Sequence, residues 1–210
     1  MILDDMAECN HEYHIDALSP AHIDKVVETH LRAFPNFFLS FLGPRFLREF
    51  YISFFLDPHG IGYTAAAPDG RILGVIVGPL DPQGYFKRLL KRRWWAFCLA
   101  SISAVLRHPS CVPRLFRAVF YRGESPSGHT RALLSSIAVD PCRQRGGVGK
   151  ELVMRWVEEA RRRGAVGCYL TTDADDNDQV NAFYRGLHWH IESTYITPEG
   201  RRMNRYIYDF

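Results

Sequence analysis

Cysteine is scarce in this chain of 210 residues, and its five cysteines are widely scattered. No two of them form a CxxC pair, which zinc knuckles and dithiol redox sites require. Their odd number also argues against the disulfide framework of a small secreted domain. The nine histidines include no HExxH pair of the kind that binds zinc. We therefore predict no metal site and a reducing, cytoplasmic environment.

Long apolar runs are missing as well. The longest apolar-leaning stretch, Trp94 to Leu106, is shorter than the roughly 20 residues that span a bilayer. The N-terminus has acids where a secretory signal would be basic and apolar. Hydrophobic residues make up 47% of the chain and charged residues 23%, as in globular proteins. The net charge of +3 is too small to predict a nucleic-acid partner. We expect a single domain over residues 1–210.

Acidic residues are absent from residues 82–123, which contain nine basic ones. Pro82-Gln83-Gly84 precedes this segment, a glycine-rich stretch follows it, and His108-Pro109 interrupts it. Because proline and glycine end helices, we predict a basic helical insertion of two helices at about residues 82–126.

Three interpretations of the basic insertion stay open. In the first, it is a lid whose arginines reach water and whose apolar residues pack on the sheet: Phe86, Leu89, Leu90, Trp94, Trp95, Phe97 and Leu99. Alternatively, it binds an anionic substrate or partner. As a third possibility, residues 86–106 form an interfacial helix on acidic lipid, because the tryptophan pair adjoins Lys91-Arg92-Arg93.

The order of the remaining elements predicts an α/β fold. Two helices follow a first strand, and Pro68-Asp69-Gly70 joins two short strands into a hairpin. An apolar strand over Ala132–Val139 leads into a glycine-rich loop and an amphipathic helix that ends at Gly164. A strand, a short helix and two closing strands complete a mixed sheet with helices on both faces.

The most informative stretch is the glycine-rich loop between Val139 and Lys150. Glycines let backbone N–H groups approach a phosphate closely, and a helix N-terminus adds unpaired donors and a positive dipole end. Two phosphate motifs do not match. A P-loop would need glycine at Gln144 and Ser or Thr at Glu151, and a dinucleotide fingerprint would need glycine at Leu152.

Two motifs resemble one known family. Gln144-x-x-Gly147-x-Gly149, after a strand that ends Ile-Ala-Val-Asp-Pro, is similar to the acyl-CoA loop of the GCN5-related N-acetyltransferases, the GNAT superfamily. Asn181-Ala182-Phe183-Tyr184 resembles that family's second signature, contracted before Trp189, and follows a strand as the family requires. The resemblance covers about residues 130–196 and implies a GNAT-like mixed, splayed β-sheet flanked by helices.

The resemblance also implies the activity and the site. The expected reaction is direct transfer of an acetyl group from acetyl-CoA to an amine, with Tyr184 as general acid toward the departing thiolate. Asn177 and Asn181 are expected on the far side of the cleft, although Asn181 is equally suited to bonding backbone. The other cofactor-binding residues belong to the strand and the loop: Ile137, Ala138, Val139, Gln144, Arg145, Gly146, Gly147, Val148, Gly149 and Lys150.

The acceptor and the general base are less defined. No carboxylate lies on Leu133-Leu134-Ser135-Ser136, where many family members carry a glutamate, so Asp173, Glu124, His129 or a water chain stay open as the base. We predict a small-molecule amine acceptor, such as an amino sugar in polysaccharide biosynthesis, and the basic insertion allows an anionic or lipid-linked one. A homodimer is also open. The alternatives are transfer of a longer acyl chain, or a non-catalytic module that docks on anionic membrane or nucleic acid.

Overall fold

The computed structural model of the chain describes residues 13–107 and 131–210. Two four-stranded sheets form its centre. The first sheet has the order β1-β2-β3-β5 and is antiparallel throughout, with β1 (His14–Ala17), β2 (Gly60–Ala66), β3 (Ile72–Pro79) and β5 (Ser136–Val139). The second sheet has the order β4-β6-β8-β7, with β4 (Ala132–Leu133), β6 (Gly167–Asp173), β7 (His190–Ile196) and β8 (Arg202–Asp209). Since β4 and β6 are parallel, the expected mixed, splayed α/β fold is confirmed.

Helices cover both faces of the first sheet. The α-helices of the described residues are α1 (Ile23–Ala33), α2 (Phe38–Phe41), α3 (Pro44–Leu56), α4 (Pro82–Arg107), α5 (Val148–Arg162) and α6 (Asp178–Gly186). Of these, α1 and α3 pack on one face of the first sheet and α5 on the other. The side chains of β3 alternate between the two layers. Val75 and Val77 pack with α1 and α3, whereas Ile76 packs with α5 around the fully buried Trp156. The α5 core also includes Leu170 and Tyr206, so one apolar core joins both sheets.

The predicted hairpin is confirmed. Gly70 N–H donates to Ala67 O (2.8 Å), and Ala67 N–H donates to Arg71 O (2.9 Å). The Asp69 carboxylate accepts the Arg71 N–H at 2.9 Å, a local bond of the kind that favours Asp in turns. The turn therefore fixes the register of β2 against β3.

The predicted strand Ala132–Val139 is wrong as a single element. The chain changes sheets at Leu134 and Ser135: Leu134 N–H donates to Tyr169 O (2.9 Å), whereas Ser135 N–H donates to Val77 O (3.0 Å). The physical reason is that β4 and β5 pair with different neighbours, β4 with β6 and β5 with β3. This crossover separates the two sheets and opens the space between β5 and the second half of β6.

The first half of the basic insertion forms the single 26-residue helix α4. Phe86, Leu89 and Phe97 are partly buried against the core, as a lid requires. The lid interpretation is wrong for Trp94, Trp95 and Leu99, which are 59%, 52% and 59% exposed. The second predicted helix lies outside the described residues, as do Glu124 and His129, two of the candidates for the general base. In the described part of the chain, no helix is long and apolar enough to cross a membrane.

Candidate active site

The crossover leaves one edge of β5 without a strand partner among the described residues. Asp140 N–H donates to Leu73 O (2.8 Å), and the antiparallel register pairs Ala138 with Val75. Since backbone groups alternate in direction along a strand, those of Ala138 face β3, whereas those of Ile137 and Val139 face the open side. Ile137, Ala138 and Val139 are all predicted to bind the cofactor. Of the three, Ile137 and Val139 direct backbone N–H and C=O groups that are not bonded to β3 into the cleft.

The loop after β5 is held by a contact that the sequence did not reveal. Asp140 is largely buried, accepts the Cys142 N–H (3.0 Å), and forms an ion pair with Arg32 of α1 (2.9 Å). Cys142 is an exposed free thiol beside this contact. Because Arg32 lies more than 100 residues away in the sequence, only the folded arrangement places it at the loop. The pair anchors the start of the loop to the helical layer.

The loop then opens into the N-terminus of α5. Gly147 precedes the helix with a φ of +83°, a backbone conformation that disfavours residues with a side chain. Its carbonyl accepts the Glu151 N–H (3.1 Å), and no side chain of the described residues caps the helix at this position. The first-turn N–H groups, those of Val148, Gly149 and Lys150, therefore have no partner within the helix.

Charge and exposure favour an anion at this helix end. Gln144, Arg145, Gly146 and Gly147 are all exposed. Within the described ranges, no carboxylate lies within 4 Å of the charged atoms of the three nearby cations, Arg143, Arg145 and Lys150. Unpaired N–H groups, a positive dipole end and three free cations together suit a phosphate group.

Helix α6 follows the end of β6, and two asparagines join these elements: Asn177 just before the helix and Asn181 within it. Asn177 donates to Thr172 Oγ1 (2.8 Å) and Asp173 O (3.1 Å). Asn181 is 3% exposed and donates to Asp173 O (2.9 Å) and Asn177 O (2.9 Å).

The carbonyl end of Asn181 is equally engaged. Its Oδ1 accepts from Asn204 Nδ2 (3.0 Å) and from the Tyr206 hydroxyl (2.9 Å). Both the nitrogen and the oxygen of the Asn181 side-chain amide are therefore bonded to other residues of the protein. Asn177 lies at the start of α6, where the neighbouring residues Asp176 and Asp178 are exposed.

Tyr184 lies one turn further along α6 and is 4% exposed. Its ring contacts those of Phe183, Trp189 and Tyr206, with centroids 5.1 to 5.8 Å apart. Burial raises the pKa of Tyr184 well above its ordinary value. Its hydroxyl is therefore protonated at neutral pH, the form that a proton donor needs.

The described candidates for a general base are limited. The Asp173 carboxylate at the end of β6 is held by the Arg201 guanidinium through contacts of 2.6 to 3.0 Å. On β5, Ser136 hydrogen-bonds the buried Tyr51 hydroxyl, which contacts His30 Nδ1 at 2.7 Å. Burial lowers the pKa of His30 to about 4, so the ring is neutral at physiological pH.

Within the described residues, no cluster of three or more His, Cys, Asp or Glu side chains that could hold a metal ion is found.

Comparison with known proteins agrees with this geometry. The family model of the acetyltransferase (GNAT) family matches residues 23–189. A search of curated proteins found no match. Among solved structures, a Desulfovibrio desulfuricans protein assigned to the GNAT acetyltransferases is similar at 13% identity and a TM-score of 0.63, with 94% of this chain and 99% of that chain covered.

Two further structures show the same fold. The Escherichia coli ribosomal-protein-S18-alanine N-acetyltransferase has 15% identity, a TM-score of 0.58 and 94% coverage of both chains. NAA60 of Arabidopsis thaliana, solved with acetyl-CoA, has 13% identity, a TM-score of 0.58 and coverage of 95% and 99%. Since the family model spans most of the chain, the protein belongs to the GNAT family of acetyltransferases, which take the acyl group from acetyl-CoA.

Proposed function

We propose that this acetyltransferase transfers the acetyl group directly from acetyl-CoA to a primary amine of a small molecule. The observation that carries the proposal is the continuity of the cleft. The open edge of β5 at Ile137 and Val139 leads straight to the uncapped N-terminus of α5, so an extended donor with a pyrophosphate has partners along its length.

The residues around the cleft fit the donor. The backbone N–H groups from Gln144 to Lys150 would hold the pyrophosphate, because most of them have no acceptor in the described protein. The outward backbone groups of Ile137 and Val139 would bond the amide-containing arm. When bound, acetyl-CoA supplies an activated thioester. A backbone N–H at the splay would then polarise the thioester carbonyl, as in an oxyanion hole.

Tyr184 is the proposed general acid. Its buried, protonated hydroxyl would give its proton to the departing sulfur, so the thiol leaves in neutral form. Asn177 and Asn181 stay predicted contacts on the α6 side of the cleft. The bonds of Asn181 to Asn204 and Tyr206 support a positioning role for its side chain, which ties α6 to β8.

The acceptor is proposed at the level of its chemistry. A primary amine follows from the family, and an amino sugar stays our first prediction for the small molecule. The Escherichia coli neighbour is named for an alanine of a ribosomal protein, so a peptide α-amine belongs in the same assay. A cytoplasmic location and a homodimer also stay predictions.

Calorimetric titration of acetyl-CoA into the wild type and two glycine variants tests the donor site. Gly147→Glu places a carboxylate at the proposed pyrophosphate position, and we expect it to abolish binding. Gly164→Glu is a matched control at the other end of α5, since its φ is +89° and, as at Gly147, no atom lies within 4 Å of an added side-chain carbon. Both variants carry the same backbone strain and the same added charge.

The outcomes separate the possibilities. Loss of binding in Gly147→Glu with retention in Gly164→Glu supports the donor site, and equal loss in both variants would contradict it. Release of free thiol from acetyl-CoA is then measured with a panel of amino sugars, simple amines and peptides. Faster turnover of long-chain acyl-CoA than of acetyl-CoA would favour the longer-chain alternative.

A further inference from the structure

Helix α4 presents a face to solvent that no part of the proposed reaction uses. Lys87, Lys91, Trp95 and Ile102 are exposed and recur at intervals of four or seven residues, so they lie on one side of the helix. The opposite side contains Tyr85, Ala96 and Ala100, which are buried. Arg92, Trp94 and Leu99 are also exposed and flank this line, and we call the whole exposed side of α4 from Lys87 to Ile102 the α4 outer face. From Lys87 to Ile102 it is about 22 Å long at the helical rise.

The first half of the α4 outer face is basic. Lys87, Lys91 and Arg92 are exposed, and none lies within ion-pair distance of a carboxylate in the described part of the chain. The other two basic residues of this region are paired: Arg88 contacts Asp57 (2.8 Å), and Arg93 contacts Glu49. Since α4 contains no acidic residue, the outer face has three uncompensated positive charges.

The second half of the α4 outer face is apolar. Trp94, Trp95, Leu99 and Ile102 are between 49% and 59% exposed, all within about two turns. Single exposed apolar residues are common on protein surfaces, but four large ones side by side mark an interaction site.

We propose that the α4 outer face docks on the surface of an anionic lipid bilayer. Two features carry the inference. Three free cations complement an acidic headgroup layer, and tryptophan prefers the boundary between headgroups and acyl chains. The helix would lie in the plane of the interface, with the aliphatic side chains of Leu99 and Ile102 below the headgroups. The proposal goes beyond acetyl transfer and does not depend on it.

Other occupants fit the same face less well. A second copy of the chain would set the three cations either against the same three cations, which repel them, or against its apolar half, which would desolvate them. A nucleic acid would use the cations and stack bases on the tryptophans, but Leu99 and Ile102 offer it neither charge nor a ring. Lipid satisfies the basic half and the apolar half together.

The test uses the full chain with phosphatidylcholine vesicles that contain or lack phosphatidylserine. Binding is measured by flotation, and tryptophan exposure by acrylamide quenching of fluorescence. Of the chain's four tryptophans, Trp94 and Trp95 are exposed and Trp156 and Trp189 are at most 2% exposed, so quenching reports the α4 outer face. We expect the serine-containing vesicles to bind the protein and to protect these two side chains from the quencher.

Two variants separate the contribution of the basic residues to vesicle binding from that of the apolar residues. Lys87→Glu/Lys91→Glu/Arg92→Glu should weaken binding on the order of 100-fold or more, at about fivefold per basic charge. Leu99→Ser/Ile102→Ser should weaken it while leaving the charge unchanged and both fluorophores in place. The matched control is Arg71→Glu/Arg155→Glu/Arg161→Glu, which changes the net charge equally at exposed arginines outside α4. Acetyl-CoA affinity, measured on each variant, verifies that the protein is folded.

Vesicle binding that both α4 variants reduce and the control retains supports the proposal. Binding that the control reduces equally would overturn it, as would failure of the folded wild type to bind. Trp94 and Trp95 already protected from acrylamide without vesicles would show that the chain covers its own face. Tighter binding to an oligonucleotide than to the vesicles would assign the face to nucleic acid. Either of these last two results also overturns the proposal.

Discussion

His30 shows how one buried residue couples the helical layer to the cleft strand. It is 1% exposed, and its Nδ1 contacts the hydroxyl of Tyr51, which in turn bonds Ser136 of β5. Its Nε2 is buried and has no hydrogen-bond partner among the described residues. Because protonation would place a charge on this unpartnered atom, burial strongly favours the neutral ring.

We predict that His30 makes folding stability depend on pH. Burial lowers the pKa of His30 from 6.5 to about 4, so between these values the unfolded chain binds more protons than the folded one. The free energy of unfolding should therefore fall as the pH drops from 6.5 to 4, by roughly 3 kcal/mol from this residue. Urea denaturation across this pH range measures the slope.

Two variants check the assignment. His30→Asn has no titrating ring and should lose this part of the slope, whereas Tyr51→Phe removes the hydrogen bond but keeps the burial and should retain it. Hydrogen bonds from Arg162 and Arg163 lower the pKa of Glu159 from 4.5 to about 2. The contribution of Glu159 to the free energy of unfolding is therefore lost mainly below pH 4.5. Most of the His30 effect lies above that pH, so the two contributions can be measured separately. An unchanged slope in His30→Asn would contradict the assignment.

Tyr184→Phe tests the proposed acid. Phenylalanine keeps the ring contacts with Trp189 and Tyr206 but removes the proton, so kcat should fall roughly 100-fold while acetyl-CoA affinity is retained. Steady-state thiol release and calorimetry measure the two quantities. Turnover at the wild-type rate would show that another group protonates the sulfur.

At the scale of elements, Gly78 allows β3 and β4 to approach each other at the crossover. A side-chain carbon at Gly78 would lie 2.0 Å from Leu133 O and 2.7 Å from the Trp156 ring. We predict that Gly78→Ala lowers the free energy of unfolding by about 3 kcal/mol, at the upper end for overpacked sites. Gly186→Ala is the control, since no atom lies within 4 Å of the added carbon. Its effect on urea denaturation should stay within about 1 kcal/mol, and equal effects of the two substitutions would contradict the prediction.

Local signals explain which elements the sequence predicts. Pro68-Asp69-Gly70 determines its hairpin within a few residues, and the apolar spacing from Val148 to Ala160 determines α5. The break at Leu134-Ser135 has no such signal, since the run contains neither glycine nor proline and the sheet change depends on distant partners.

The site follows the same rule. The glycine loop is visible in sequence because its conformation is local. The bonds of Asn181 to Asn204 and Tyr206 join residues more than 20 positions apart, and no spacing rule predicts them. The exposure of Trp94 and Trp95 is equally hard to predict, because apolar residues occur on all sides of α4 and periodicity alone does not identify the inward side.

At the scale of the whole molecule, two separated sheets remain one body because they share a core. Trp156 of α5 is fully buried in the same cluster as Ile76 of the first sheet and Leu170 of the second. Arg163, just beyond α5, also donates to Pro58 O and Gly60 O at the start of β2 (3.2 Å each). The cleft is therefore open at the backbone edge of β5 but supported beneath by close-packed side chains.

The crossover at Leu134 and Ser135 has a consequence for the rate at which backbone amides exchange hydrogen with water. Along β5 the amides should alternate: those of Ala138 and Asp140, bonded to β3, exchange slowly, whereas those of Ile137 and Val139 exchange quickly. Acetyl-CoA should slow the fast pair and leave the slow pair unchanged, as residue-resolved NMR exchange would show. Uniform protection along the strand would contradict the open edge. Without the donor, every second amide of β5 should thus exchange faster than its neighbours, and binding of the donor should remove this difference.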